Sequence, residues 1–177
     1  IKKKCPHCNG EGIVRGEEEV EVKIPAGVVE GMQLSVRGKG NAARRGGENG
    51  DLLVLIEEVP SEELIRDGNN LIYQALISLP EAILGGPIEV PGIDTKVRLN
   101  VEPGTQPGKV LRLKGKGLPD VNGYGRGDLL VKVDVFVPKD ITKDEKKIFE
   151  KLKDSESFKP KKKDKDSIFA RMKQRFS

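Results

Sequence analysis

Two cysteines, Cys5 and Cys8, stand in Cys5-Pro-His-Cys8-Asn-Gly10-Glu-Gly12. Two thiolates separated by two residues face one Zn²⁺, and nearby glycines let backbone amides approach the sulfurs, but a structural zinc site needs four ligands. Only a half site is present, and His7 points to another side of a tight turn. A redox C-x-x-C opens a helix in a βαβ unit, which this sequence lacks. The expectation is a half site that binds metal weakly on its own.

Two Gly-Lys-Gly loops, at 38–40 and 115–117, have the composition of phosphate cradles. Neither carries G-x-x-x-x-G-K-[ST], nor a G-x-G-x-x-G leading into a helix, so they read as structural turns. Asp51 and Asp128 follow a glycine at a strand start in equivalent places, and read as turn or cap residues rather than an acid/base pair. His7 is the only histidine, so no Ser-His-Asp set assembles. The sequence reads as no enzyme.

The elements that position these residues occur twice. Gly27, Gly31, Gly38, Lys39, Gly40, Gly50, Asp51, Leu52, Leu53 and Val54 return 77 positions later as Gly104, Gly108, Gly115, Lys116, Gly117, Gly127, Asp128, Leu129, Leu130 and Val131. Glycines recurring at fixed spacing report shared backbone geometry, because only glycine enters φ > 0 turns without strain. Val20, Val22 and Ile24 alternate with charged residues, as do Val97, Leu99 and Val101, which predicts half-buried strands. Leu34 with Val36, and Leu111 with Leu113, predict second strands after glycine turns. Leu52–Glu57 and Leu129–Val137 predict third strands. Leu71, Tyr73, Ala75, Ile77 and Leu79 predict a further strand in the second unit, and Pro80–Pro87 is long enough for one glycine-capped helical turn.

The chain therefore reads as mainly all-β: two tandem, similar small β-sandwich domains followed by a short amphipathic helix. The expected divisions are a cysteine remnant at 1–12, a first domain at 13–61, a second at 62–139 and a helix with a basic tail at 140–177. Part of the first domain is expected upstream of residue 1, since the first repeat begins directly after the cysteine motif, and a first residue of Ile rather than Met suggests a piece of a longer protein. Thr142 with Glu145 makes a capping box, and Ile148, Phe149 and Leu152 form an apolar stripe over 142–154. Ile168, Phe169, Met172 and Phe176 have the spacing of a second stripe. Such stripes bury themselves on the body or on a partner, so dimerisation is one expectation.

Residues 139–177 hold 14 Lys and Arg against 8 Asp and Glu, while the rest of the chain is slightly acidic. A basic tail on a near-neutral body is a weak footprint for nucleic acid. No signal peptide or long apolar span is evident, and two cysteines make no disulfide framework, which fits a cytoplasmic setting.

Taken in order, these motifs closely resemble the C-terminal half of the zinc-containing class of DnaJ-type co-chaperones. The match rests on Cys5–Gly12, Ile24-Pro-Ala-Gly-Val-x-x-Gly31, Arg66-Asp-Gly-Asn-Asn-Leu71, Pro80-Glu-Ala-Ile-Leu-Gly-Gly86, Ile88-Glu-Val-Pro91, Gly104-Thr-Gln-Pro-Gly-Lys109 and Arg112-Leu-Lys-Gly-Lys-Gly-Leu-Pro119. It covers about residues 5–154. The resemblance implies sandwiches that hold unfolded polypeptide clients by strand addition plus side-chain pockets, and a helix through which two subunits join. By position, Val20, Val22 and Leu64 would line the client groove, or else simply pack in the core. Leu64 stands where the family has Phe in its His-x-x-Phe-x-Arg stretch, and Ser61 stands where it has His. Zinc belongs to the full-length family protein, as does delivery of clients to a DnaK-type chaperone through a J-domain that this sequence lacks. Alternatives are a purely structural dimer adaptor and a nucleic-acid module using Lys159–Arg175.

Overall fold

The computed structural model describes residues 5–8 and 10–162. The chain divides after Phe136 into two compact units, and both repeats lie in the first. The architecture is mainly β. The first repeat supplies β1 (Gln33–Val36) and β2 (Leu52–Leu55), which pair antiparallel in a two-stranded sheet. The second supplies β3 (Leu64–Asp67), β4 (Asn70–Ser78), α1 (Leu79–Leu84), β5 (Gly86–Val90), β6 (Val97–Val101), β7 (Lys109–Leu113) and β8 (Leu129–Phe136). Four of these strands make one sheet in the order β3-β4-β8-β7, with β4 and β8 parallel, while β5 and β6 form an antiparallel ribbon.

The second repeat is a sandwich because alternate residues of both layers point inward. Leu71, Ala75, Leu129 and Val131 from the larger sheet close on Val90 of the ribbon, with Ile88, Val97 and Leu99 around them. Ile77, Val133, Ala82 of α1 and Val101 extend that core at the other end. Leu129, Val131 and Val133 are 0% exposed.

The short helix is set by its ends. Ser78 Oγ accepts from the Glu81 amide while Glu81 Oε2 accepts from the Ser78 amide at 2.8 Å. Gly85 ends it at φ +72, where a Cβ would lie 2.7 Å from the Val101 carbonyl oxygen.

The repeat is structural down to single hydrogen bonds. In β1 and β2 Gln33 opposes Leu55 and Val36 opposes Leu52; in β7 and β8 Val110 opposes Lys132 and Leu113 opposes Leu129, each shifted by the same interval. The Gly31 amide donates to Ile56 O at 2.9 Å and the Gly108 amide to Val133 O at 2.7 Å. Gly40 to Gly50 at 2.7 Å and Gly117 to Gly127 at 2.8 Å form a second matched pair.

The first repeat departs from expectation in one strand. Residues 20–24 do not form a β-ladder, although Val20 and Val22 are half-buried and Glu19, Glu21 and Lys23 are exposed. Their counterpart, β6, is a strand because it pairs with β5. Among the described residues no strand pairs with 20–24. Alternation without a partner leaves an extended segment.

The second unit, taken by itself, holds α2 (Lys143–Lys153) and a 3₁₀ turn at Glu156–Phe158. Thr142 caps α2 through the expected box, with the Thr142 amide donating to Glu145 Oε2 at 2.7 Å. Asp144 and Glu145 in its first turn, and Lys151 and Lys153 in its last, suit the helix dipole. The stripe expected at Ile168, Phe169, Met172 and Phe176, and most of the basic stretch Lys159–Arg175, lie outside the described residues.

Candidate functional site

The two repeated aspartates hold the Gly-Lys-Gly turns. Asp51 Oδ1 accepts from the Gly38 amide at 2.9 Å, and Asp128 Oδ1 accepts from the Gly115 amide at 2.8 Å. Both glycines have positive φ, +69 and +66, which is why the residue before the lysine is glycine in each copy. The second oxygen differs between copies, being 3.4 Å from Ser35 Oγ in the first and bound by Arg112 Nε in the second. The Gly115 amide first, and then Arg112, hold the Asp128 carboxyl below the usual aspartate range. These carboxylates are consumed in backbone capping within separate turns, so they form no acid/base pair. Lys39 at the first loop pairs with Glu18 at 2.8 Å, tying the extended segment to that turn.

Cys5 and Cys8 sit on a turn closed by the Glu11 amide donating to Cys8 O at 2.8 Å. Both are free thiols, Cys5 exposed and Cys8 half-buried. The Cys8 amide, then the His7 amide and the Cys8 thiol hold the Cys5 thiol below its ordinary pKa. Backbone donors at a sulfur suit a thiolate that ligates metal. Among the described residues, no group of three or more His, Cys, Asp or Glu comes together to hold a metal. The two thiols therefore fit half of a tetrahedral site and do not fit a complete one.

The first repeat presents unpaired backbone and apolar side chains together. β1 and β2 pair only with each other, so among the described residues each keeps a free edge. Leu34, Val36, Leu52, Val54 and Ile56 are half-buried on one face. On the other face Leu53 and Leu55 are 58% and 61% exposed. Val20 and Val22 add half-buried apolar positions on the extended segment. A free strand edge flanked by apolar side chains recognises extended polypeptide by ladder hydrogen bonds, with side chains seated alternately.

Leu64 lies elsewhere. It opens β3, opposite Tyr73 of β4, and packs half-buried against the core of the second repeat. Leu53, Leu55 and β3 escape the sequence reading. The signal for β3 was Gly68-Asn69, a two-residue hairpin turn between Leu64-Ile65-Arg66 and the next apolar run. On α2, Ile148 and Phe149 are 57% and 40% exposed and Leu152 is half-buried. Among the described residues, no helix is long and apolar enough to cross a membrane.

A β-sandwich preceded by a shorter, open copy of the same turns, entered from a C-x-x-C turn and built on Asp-capped Gly-Lys-Gly loops, is the arrangement of a DnaJ-type C-terminal β-module. The family model described as DnaJ C terminal domain matches residues 2–138, and the chain belongs to that family. It is 59% identical to Chaperone protein DnaJ of Bacteroides fragilis (strain YCH46) over 173 residues, which is 98% of this chain and 44% of that protein. It is 57% identical to Chaperone protein DnaJ of Porphyromonas gingivalis (strain ATCC BAA-308 / W83) over 160 residues, covering 90% of this chain and 42% of that one. The chain thus spans less than half the length of the curated relatives it matches.

Proposed function

We propose that this chain is the polypeptide-holding and self-associating part of a cytoplasmic J-domain co-chaperone. Unfolded or misfolded client segments would lie along the first repeat, contacting Val20, Val22, Leu53 and Leu55. The observation that carries the reading is the two-stranded β1–β2 sheet, whose free edges stand beside exposed leucines, in a chain of the DnaJ C-terminal family. Leu64 acts in this proposal by holding β3 against its own core. The exposed Ile148 and Phe149 with Leu152 support a homodimer through α2. Two weak grooves on one dimer gain by effective concentration when a client spans both.

In the longer protein, clients would pass to a DnaK-type ATP-dependent chaperone. Further cysteines would complete the zinc site begun by Cys5 and Cys8. The chain itself carries no catalysis in this reading.

Fluorescence anisotropy of a labelled, permanently unfolded apolar polypeptide, titrated with the chain at low and high salt, tests the proposal. Binding survives salt, and the double variant Leu53→Ser/Leu55→Ser weakens it by about tenfold, as expected when two leucines lose partial burial. Steep loss with salt would instead mark phosphate-type contacts of a nucleic-acid module. No binding at either salt, with a stable two-fold mass, would leave a dimer adaptor.

A further inference from the structure

The glycine turn that precedes the second strand has the same backbone in both repeats and different surroundings. Gly27 has φ +89 and Gly104 has φ +76. A Cβ built on Gly104 meets open space, whereas one on Gly27 would lie 2.2 Å from the Pro119 carbonyl oxygen and 3.1 Å from the Val121 amide nitrogen. Pro119 and Val121 belong to the second repeat, in the loop leading to β8. The first repeat's turn is therefore seated against the second repeat's loop, with no room for a side chain.

Arg66 of β3 holds the same turn. Its Nη1 donates to Val28 O at 2.8 Å and its Nη2 to Gly27 O at 3.2 Å. Nε donates to Gly68 O at 3.0 Å, and Nη1 also reaches Glu58 Oε2 at 3.1 Å. The side chain is only 17% exposed. A planar, permanently charged fork is suited to binding two neighbouring carbonyls at once, and a lysine cannot reproduce it.

We infer that Arg66 and Gly27 form a joint that fixes the first repeat against the second. One contact is steric and one is a forked hydrogen bond, and both close on Gly27 and its neighbour Val28. The joint is independent of what the first repeat binds, and it leaves 57–63 as a connecting segment rather than a free hinge. Arg66 is a positioning residue in this account.

The connecting segment carries Glu57, Glu58, Glu62 and Glu63, so a glutamate-specific endopeptidase reports on the joint, with Glu150 in α2 as internal reference. In the full chain, Arg66→Gln raises cleavage in the segment relative to Glu150 by about tenfold, the scale of losing a charged hydrogen bond. Gly27→Ala, which leaves Glu58 and its partner intact, raises cleavage at the same sites. The thermal transition of the second repeat's core stays in place in both variants. Unchanged cleavage ratios in either variant would overturn the joint. So would an equal rise at every glutamate, which reports global loosening.

Discussion

Single residues decide how each repeat turns. Asp128 is tied to the Gly115 amide and to Arg112, and its carboxyl is held below the ordinary range by those partners. A carboxyl with a depressed folded pKa contributes stability above its unfolded pKa, and that contribution is lost as pH falls through the folded value. The melting temperature of the chain is therefore expected to fall below about pH 4. Asp128→Asn flattens that acid limb and lowers the melting temperature near neutral pH, as thermal unfolding across pH will measure. Asp51→Asn lowers the melting temperature near neutral pH by less, since Ser35 stands where Arg112 stands in the second copy. The capping role of both aspartates was legible from their place after a glycine in each repeat. The Arg112 contact was not, because nothing in the spacing says which neighbour across the ladder reaches the second oxygen.

At the scale of elements, identical residues carry different weight because the repeats are covered differently. Leu129 is 0% exposed in a closed sandwich, while its counterpart Leu52 is half-buried. Leu129→Ala is expected to cost about 3 kcal/mol, the range for a buried leucine, and Leu52→Ala about half that. Denaturant unfolding of the two variants checks the difference. In α2, Thr142→Ala removes the side-chain half of the capping box and costs the helix about 1 kcal/mol, read by faster amide exchange in its first turn.

Long alternating or capped segments such as β4, β6, β7, β8, α1 and α2 were legible because each is defined by its own pattern. The failed strand at 20–24 shows the limit. A period of two fixes which side chains face inward, but a strand needs a partner, and among the described residues 20–24 have none. β3 was missed for the opposite reason. It is only four residues long, and its identity came from the hairpin that follows.

For the whole molecule, the tandem copy and the order of motifs made the family legible, since these features are sequential. What covers each sheet is not sequential, so the contrast between a closed second repeat and an open first one emerged only from the fold. In the proposed function, that contrast favours a client site on β1 and β2 over one at Leu64, which packs against the second repeat's core. The parallel pairing of β4 with β8, residues far apart in the chain, closes the second sandwich over Leu129, Val131 and Val133.

The most direct measurement is amide hydrogen exchange of the chain with and without a permanently unfolded apolar polypeptide. Edge recognition predicts slowed exchange in Gln33–Val36 and Leu52–Leu55, and over residues 20–24, with β4 and β8 unchanged. Protection confined to the second repeat, or none during demonstrated binding, would contradict the account.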